Sequence, residues 1–120
     1  MTGYTAPLDE IRFVLNELVG LADINALQGY EDATPEVVDS ILEEAGKLGA
    51  EVIAPLNHIG DKEGCRLENG EVRTPGGFKE AYHKFVKGGW NGLPFDPEFG
   101  GQGLPWLVST AVSEIWHAAN

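Results

Sequence analysis

Between Thr34 and Pro55, apolar residues recur at Val38, Ile41, Leu42, Ala45, Leu48, Val52 and Ile53. Spacing of three and four gathers these side chains onto one stripe of a helix and scatters them over both faces of a strand. The segment therefore predicts a long helix, with Thr34 as N-cap, Pro35 at its first helical position and a stop before Pro55. Gly46 and Gly49 fall inside it, each lowering helix stability by up to about 1 kcal/mol relative to alanine. Close helix-to-helix contact is the expected reason for both. A stripe this long has to be buried, so the rest of the chain must supply apolar faces to cover it.

Those faces are legible. After a short extended arm at residues 2–7, Leu8, Ile11, Leu15, Leu18 and Val19 repeat at helical spacing, with Asp9 and Glu10 at the favourable end of the dipole, predicting a first helix that ends near Gly20. A third helix is read from Phe78, Tyr82, Phe85 and Val86, stopped by Gly88-Gly89. A fourth carries Leu104, Leu107, Val108, Ala111, Val112, Ile115, Trp116 and Ala119, with Pro105 near its start and Asn120 as the residue available to cap its end. Between the second and third, "CRLENGEVRTP" alternates in character around Asn69-Gly70, the preferred pair for a two-residue type I′ turn. The fold class expected is all-α, a helical bundle-like domain of about four principal helices with one small β-hairpin.

A chain of 120 residues fits one domain, which buries roughly 65% of the surface its unfolded form exposes. Apolar runs such as "VIAPL" are far too short to cross a bilayer, and "MTGYTAPLDE" is not a secretory signal. No membrane insertion and a cytoplasmic address are expected. The single Cys65 has no disulfide partner and no metal-ligand spacing near it, and is expected to be a semi-buried hairpin residue. Acidic residues number 19 against 8 basic ones, and residues 1–57 hold 11 of the acids and 2 of the bases. Such a surface repels a phosphate backbone, so no nucleic-acid partner is expected.

"PEFGGQGLPWL" asks whether Gly100, Gly101 and Gly103 cradle a phosphate. An NTPase loop needs Lys followed by Ser or Thr after its last glycine, where Leu104-Pro105 stand here. A dinucleotide fingerprint needs a third glycine where Trp106 stands, and a buried strand upstream. Both readings fail, leaving a turn that uses glycine's positive φ to deliver the chain into the last helix.

The whole stretch "GGWNGLPFDPEFGGQGLPWLVSTAVSEIWHAAN" resembles the segment of flavin-dependent acyl-CoA dehydrogenases in which a Gly-Trp, a proline-rich loop and a G-G-x-G turn lead into a helix bearing a glutamate. "YTAPLDEIRFVLNEL" and "GCRLENGEVRTPGGFKEAYHKFVKGGW" resemble the amino-terminal region of the longer bacterial branch of that family, which includes enzymes acting on short or sulfur-containing acyl-CoA thioesters. The resemblance spans nearly the whole chain. It implies an FAD-dependent oxidoreductase in which a carboxylate removes the α-proton of an acyl-CoA while the β-hydrogen leaves as hydride to the flavin. It further implies that residues 1–120 are the amino-terminal α-domain as a fragment, without the FAD-binding β-domain or the carboxyl-terminal bundle that usually supplies the catalytic glutamate. In that case the fragment contributes acyl-pocket wall and domain packing, and is inactive and flavin-free alone. A homo-oligomer is expected because faces built to meet absent domains seek cover.

No catalytic, cofactor-binding or metal-ligating residue is assigned. Glu114 matches the family's recurring glutamate and can be read as a base, but a buried or interdomain hydrogen-bonding carboxylate is the ordinary reading. Glu43 and Glu44 are adjacent helical residues that do not face each other, and form a solvated acidic face. His58, His83 and His117 have no ligand spacing. Trp90, Trp106 and Trp116 are read as core or interdomain contacts ahead of a cofactor frame. The alternative to the enzyme reading is a free-standing acidic helical module whose apolar stripe binds another protein.

Overall fold

The computed structural model describes residues 3–120, so Thr2 of the expected arm lies outside the described residues. The architecture is helical with a single two-stranded hairpin, as the sequence predicts. Helices α1 (Leu8–Phe13), α2 (Leu21–Asn25), α3 (Pro35–Leu48), α4 (Pro55–Glu63), α5 (Phe78–Lys87) and α6 (Trp106–Ala119) are joined by two π-helical segments, Val14–Val19 and Gly49–Ile53, and by two short 3₁₀ turns, Trp90–Gly92 and Pro97–Phe99.

The core is the seam between α3 and α6. Val38, Leu42 and Ala45 of α3 meet Val108, Val112 and Ile115 of α6, all at 2% exposure or less. Leu15 and Leu21 close the seam from the amino-terminal side. Gly49 is the point of closest approach, since a Cβ there would stand 3.0 Å from Ile115 Cγ2. The expected contact is thus real for Gly49. Gly46 serves different neighbours, Ala6 of the arm and Leu8 at the start of α1, so it too faces a helix. Thr34 caps α3 by accepting from the Val37 amide at 3.2 Å, and Pro35 opens the helix.

Helical structure does not stop before Pro55. The π segment Gly49–Ile53 ends in an Ala54 amide bonded to the Gly49 carbonyl at 2.8 Å, and Pro55 begins α4 directly. An α-helix reaching this proline would lose an N–H bond and clash with the carbonyl four residues back. The widened turn passes the proline instead, with Ala54 still helical at φ −58° and ψ −40°. The first helix changes in the same way: its last six residues are π-helical, and Gly20, at φ +81°, ends it as predicted.

The hairpin pairs β1 (Arg66–Glu68) with β2 (Glu71–Arg73), and Asn69 and Gly70 both take positive φ, as a type I′ turn requires. Cys65 is exposed rather than semi-buried, because every hairpin residue faces solvent. Helix α5 has the predicted bounds but contains no buried residue. It docks on α4 where Gly60 admits the Phe78 ring.

Among the described residues no helix is long and apolar enough to cross a membrane. The chain forms a slab of 52 × 38 × 17 Å with a radius of gyration of 16.4 Å, where a compact domain of this length has about 14 Å. Its accessible surface is 7994 Å², against about 6,300 Å² for a compact monomer of the same mass.

Candidate functional site

Two helices whose stripes were read separately converge on one groove. Helix α1 and the π turn after it present Ile11, Val14 and Leu15, while α6 presents Leu107 and Ala111, enclosing about 210 Å³. The walls are aliphatic because each helix commits only part of its stripe to the α3–α6 seam. Polar groups sit at the edge: Glu10, Thr110 and Glu114. The Thr110 hydroxyl donates to the Trp106 carbonyl at 2.8 Å, which leaves the two carboxylates as the groove's free polar groups.

Glu114 is exposed in this groove, so of the two expected settings, buried or interdomain, it is not buried within this chain. Position 114 falls between buried Ala111 and Ile115 in sequence but on the outer edge of the α6 stripe. Close by, the Tyr4 hydroxyl is buried without a hydrogen-bond partner. Its pKa is raised above 10.0, first by that burial and then by the negative charge of Glu114.

The glycine loop is closed on itself. The amides of Gly100, Gly101, Gln102, Gly103 and Leu104 donate to the carbonyls of Pro97, Asp96, Gly92, Phe95 and Leu93 at 2.9–3.1 Å. An anion would have to displace these bonds to be cradled. Gly100 and Gly103 do take positive φ, at 86° and 65°. Gly101 has another reason to be glycine: a Cβ there would overlap the Phe95 carbonyl.

Trp90 and Trp116 pack edge to face at 5.3 Å, and Phe85 adds a second such contact to Trp116 at 5.6 Å. These rings join α5 and the first 3₁₀ turn to α6. Trp106 stands apart, 62% exposed and edge to face with Phe95 at 6.1 Å. His58, His83 and His117 are all exposed. Glu43 does more than face solvent, since it accepts from Arg12, which also bonds Asp9 and Asp39. That clamp fastens α1 to α3, and Arg12's pKa is raised chiefly by its bond to Asp39. Among the described residues Glu44 pairs only with Lys47.

Pro7, Glu10, Thr110 and Ala111 were not read as groove residues. No local signal marks them, because the groove exists only where segments about a hundred residues apart meet.

The sequence agrees with the class of protein its motifs resemble. Across nearly all its length the chain is similar to an acyl-CoA dehydrogenase. That relative is the 3-methylmercaptopropionyl-CoA dehydrogenase of Ruegeria pomeroyi (strain ATCC 700808 / DSM 15171 / DSS-3), 44% identical over 117 residues, which take in 98% of this chain. The chain spans 20% of the relative's length. The match bears out the family resemblance. No protein-family model matches the chain.

Proposed function

We propose that residues 1–120 are the amino-terminal α-domain of an FAD-dependent acyl-CoA dehydrogenase, an enzyme that oxidises an acyl-CoA thioester to the 2,3-enoyl-CoA. The observation that carries this reading is the 44% identity sustained over 98% of the chain. The fragment's share is one wall of the acyl pocket, for which the α1–α6 groove is the candidate. Its volume of about 210 Å³ lies below the roughly 300–1,000 Å³ of a complete ligand site. A groove of that size suits the end of an acyl chain laid along Ile11, Leu107 and Ala111, with further walls supplied from outside these residues.

The residues present do not fit FAD or the coenzyme A phosphates. The loop amides are already bonded, and the free polar groups of the groove are carboxylates, which repel phosphate. No proton or hydride step is therefore derived from this chain, and Glu114 is given no catalytic role. The surface exceeding that of a compact monomer supports the same reading, because a domain designed to be covered exposes more than one designed to stand alone.

The test is to express the 120-residue chain beside the complete open reading frame that contains it. Flavin absorbance and acyl-CoA oxidation are expected only in the longer protein. Stoichiometric flavin and turnover in the 120-residue chain would overturn the proposal.

A further inference from the structure

The groove between α1 and α6 carries a charge that nothing in it offsets. Its walls are aliphatic, with Ile11, Leu107 and Ala111 among them, and its edge holds the exposed carboxylates of Glu10 and Glu114. Among the described residues neither carboxylate forms an ion pair, whereas Glu43, Glu44, Glu68 and Glu71 each hold a cation. No basic side chain lines the groove. Arg12, the only lysine or arginine before Lys47, is committed to Asp9, Asp39 and Glu43, and none follows Lys87, so α6 contributes none.

Aliphatic walls keep water from screening one side of the groove, which concentrates the field of two like charges inside it. The charge of Glu114 is already felt within the domain, where it is the second cause, after burial, that raises the Tyr4 hydroxyl above 10.0. A charged terminal group on a bound chain cannot rest on the aliphatic walls, where it would lose its solvation. It has to settle at the edge, beside Glu10 and Glu114.

We infer that Glu10 and Glu114 make this groove select an acyl chain by the charge of its far end, taking a chain that ends in ammonium ahead of one that ends in methyl and rejecting one that ends in carboxylate. That the ligand is an acyl chain rests on the enzyme reading; the selection by charge rests on the groove's own residues.

The test is to titrate the 120-residue chain at low ionic strength with hexylammonium, hexanol and hexanoate, following the methyl signals of Ile11, Leu107 and Ala111 by NMR. A cavity of about 150 Å³ admits a benzene ring, so a six-carbon chain end fits the groove's volume of about 210 Å³. The three probes are expected to bind in that order, with at least about tenfold between the first and the last, narrowing as salt is added. Other acidic surfaces also attract hexylammonium, so the E10Q/E114Q variant assigns the effect: it is expected to abolish the order while hexanol keeps its affinity, which also shows that the variant is folded. In the complete protein, CoA thioesters of six-carbon chains ending in ammonium, methyl or carboxylate are expected to follow the same order through KM, and E10Q/E114Q to relieve the rejection of carboxylate. Equal binding of the three probes, binding of none, or an order that the double variant preserves in either protein would overturn the inference and leave the flavoenzyme proposal standing. A complete protein without flavin or turnover, while the probe order holds, would overturn that proposal and leave the charge selection standing.

Discussion

The α3–α6 seam and helix α5 were read from the same kind of signal, yet they end in opposite environments. Both carry apolar residues at spacing of three and four. In the seam, Leu42, Ala45, Val108 and Ile115 are at 0–1% exposure, whereas α5 buries nothing and leaves Tyr82 63% exposed. Periodicity reports which face of a helix is apolar, not whether anything covers it. In the seam the cover comes from within the chain. On α5 no segment among the described residues supplies it.

Ile115→Ala gives the sharpest test of this contrast. It empties a site at 0% exposure and should cost about 2–5 kcal/mol in urea unfolding. Tyr82→Ala should cost less than about 1 kcal/mol in the same measurement, since little cover is lost with an exposed side chain. Equal losses would erase the distinction between the two regions.

The next largest effect is expected in the loop that feeds α6. Gly101→Ala drives a methyl group into the Phe95 carbonyl, and backbone atoms cannot swing aside, so a loss of about 1–3 kcal/mol is expected. Gly100→Ala meets nothing within 4 Å and incurs only the left-handed backbone penalty of about 1–2 kcal/mol. Thermal unfolding of the pair separates crowding from φ strain. A smaller loss at Gly101 than at Gly100 would show the loop to be looser than the seam it serves.

The smallest effect concerns Tyr4, whose ring lies against the seam at Gly49 while its hydroxyl lacks a partner. Tyr4→Phe removes an unsatisfied donor and should be neutral or stabilising by up to about 1 kcal/mol at pH 7. Because the folded-state pKa is raised above 10.0, the unfolded chain ionises first. Stability therefore holds below pH 10 and falls as pH rises through the folded value. The phenylalanine variant should lack that part of the alkaline decline. Urea titrations at pH 8 and 11 measure the difference, and an identical decline in both proteins would place the hydroxyl in water.

Most of the fold was legible because its elements are long and punctuated. Thr34-Pro35 opens α3, Gly20 and Gly88 close helices where expected, and Asn69-Gly70 makes its turn. The π segments were not legible. Over five or six residues a widened turn leaves no distinct apolar period, and its stability depends on packing partners. Missing the second one also turned Pro55 into a false stop and hid α4. Cys65 was misplaced for a related reason: flanking residues tell how a strand is patterned, but not which part of its rim the fold leaves open. The candidate groove lay beyond sequence reading altogether, since Pro7 and Glu114 become neighbours only after α1 and α6 converge.

The slab, only 17 Å through its thinnest dimension, also governs how the domain answers to heat and denaturant. Both the urea m-value and the heat-capacity increment scale with the surface newly exposed on unfolding. A folded state that already shows so much of its surface has less left to expose. The unfolding transition should therefore be broader than 120 residues would ordinarily give, and the stability curve flatter against temperature.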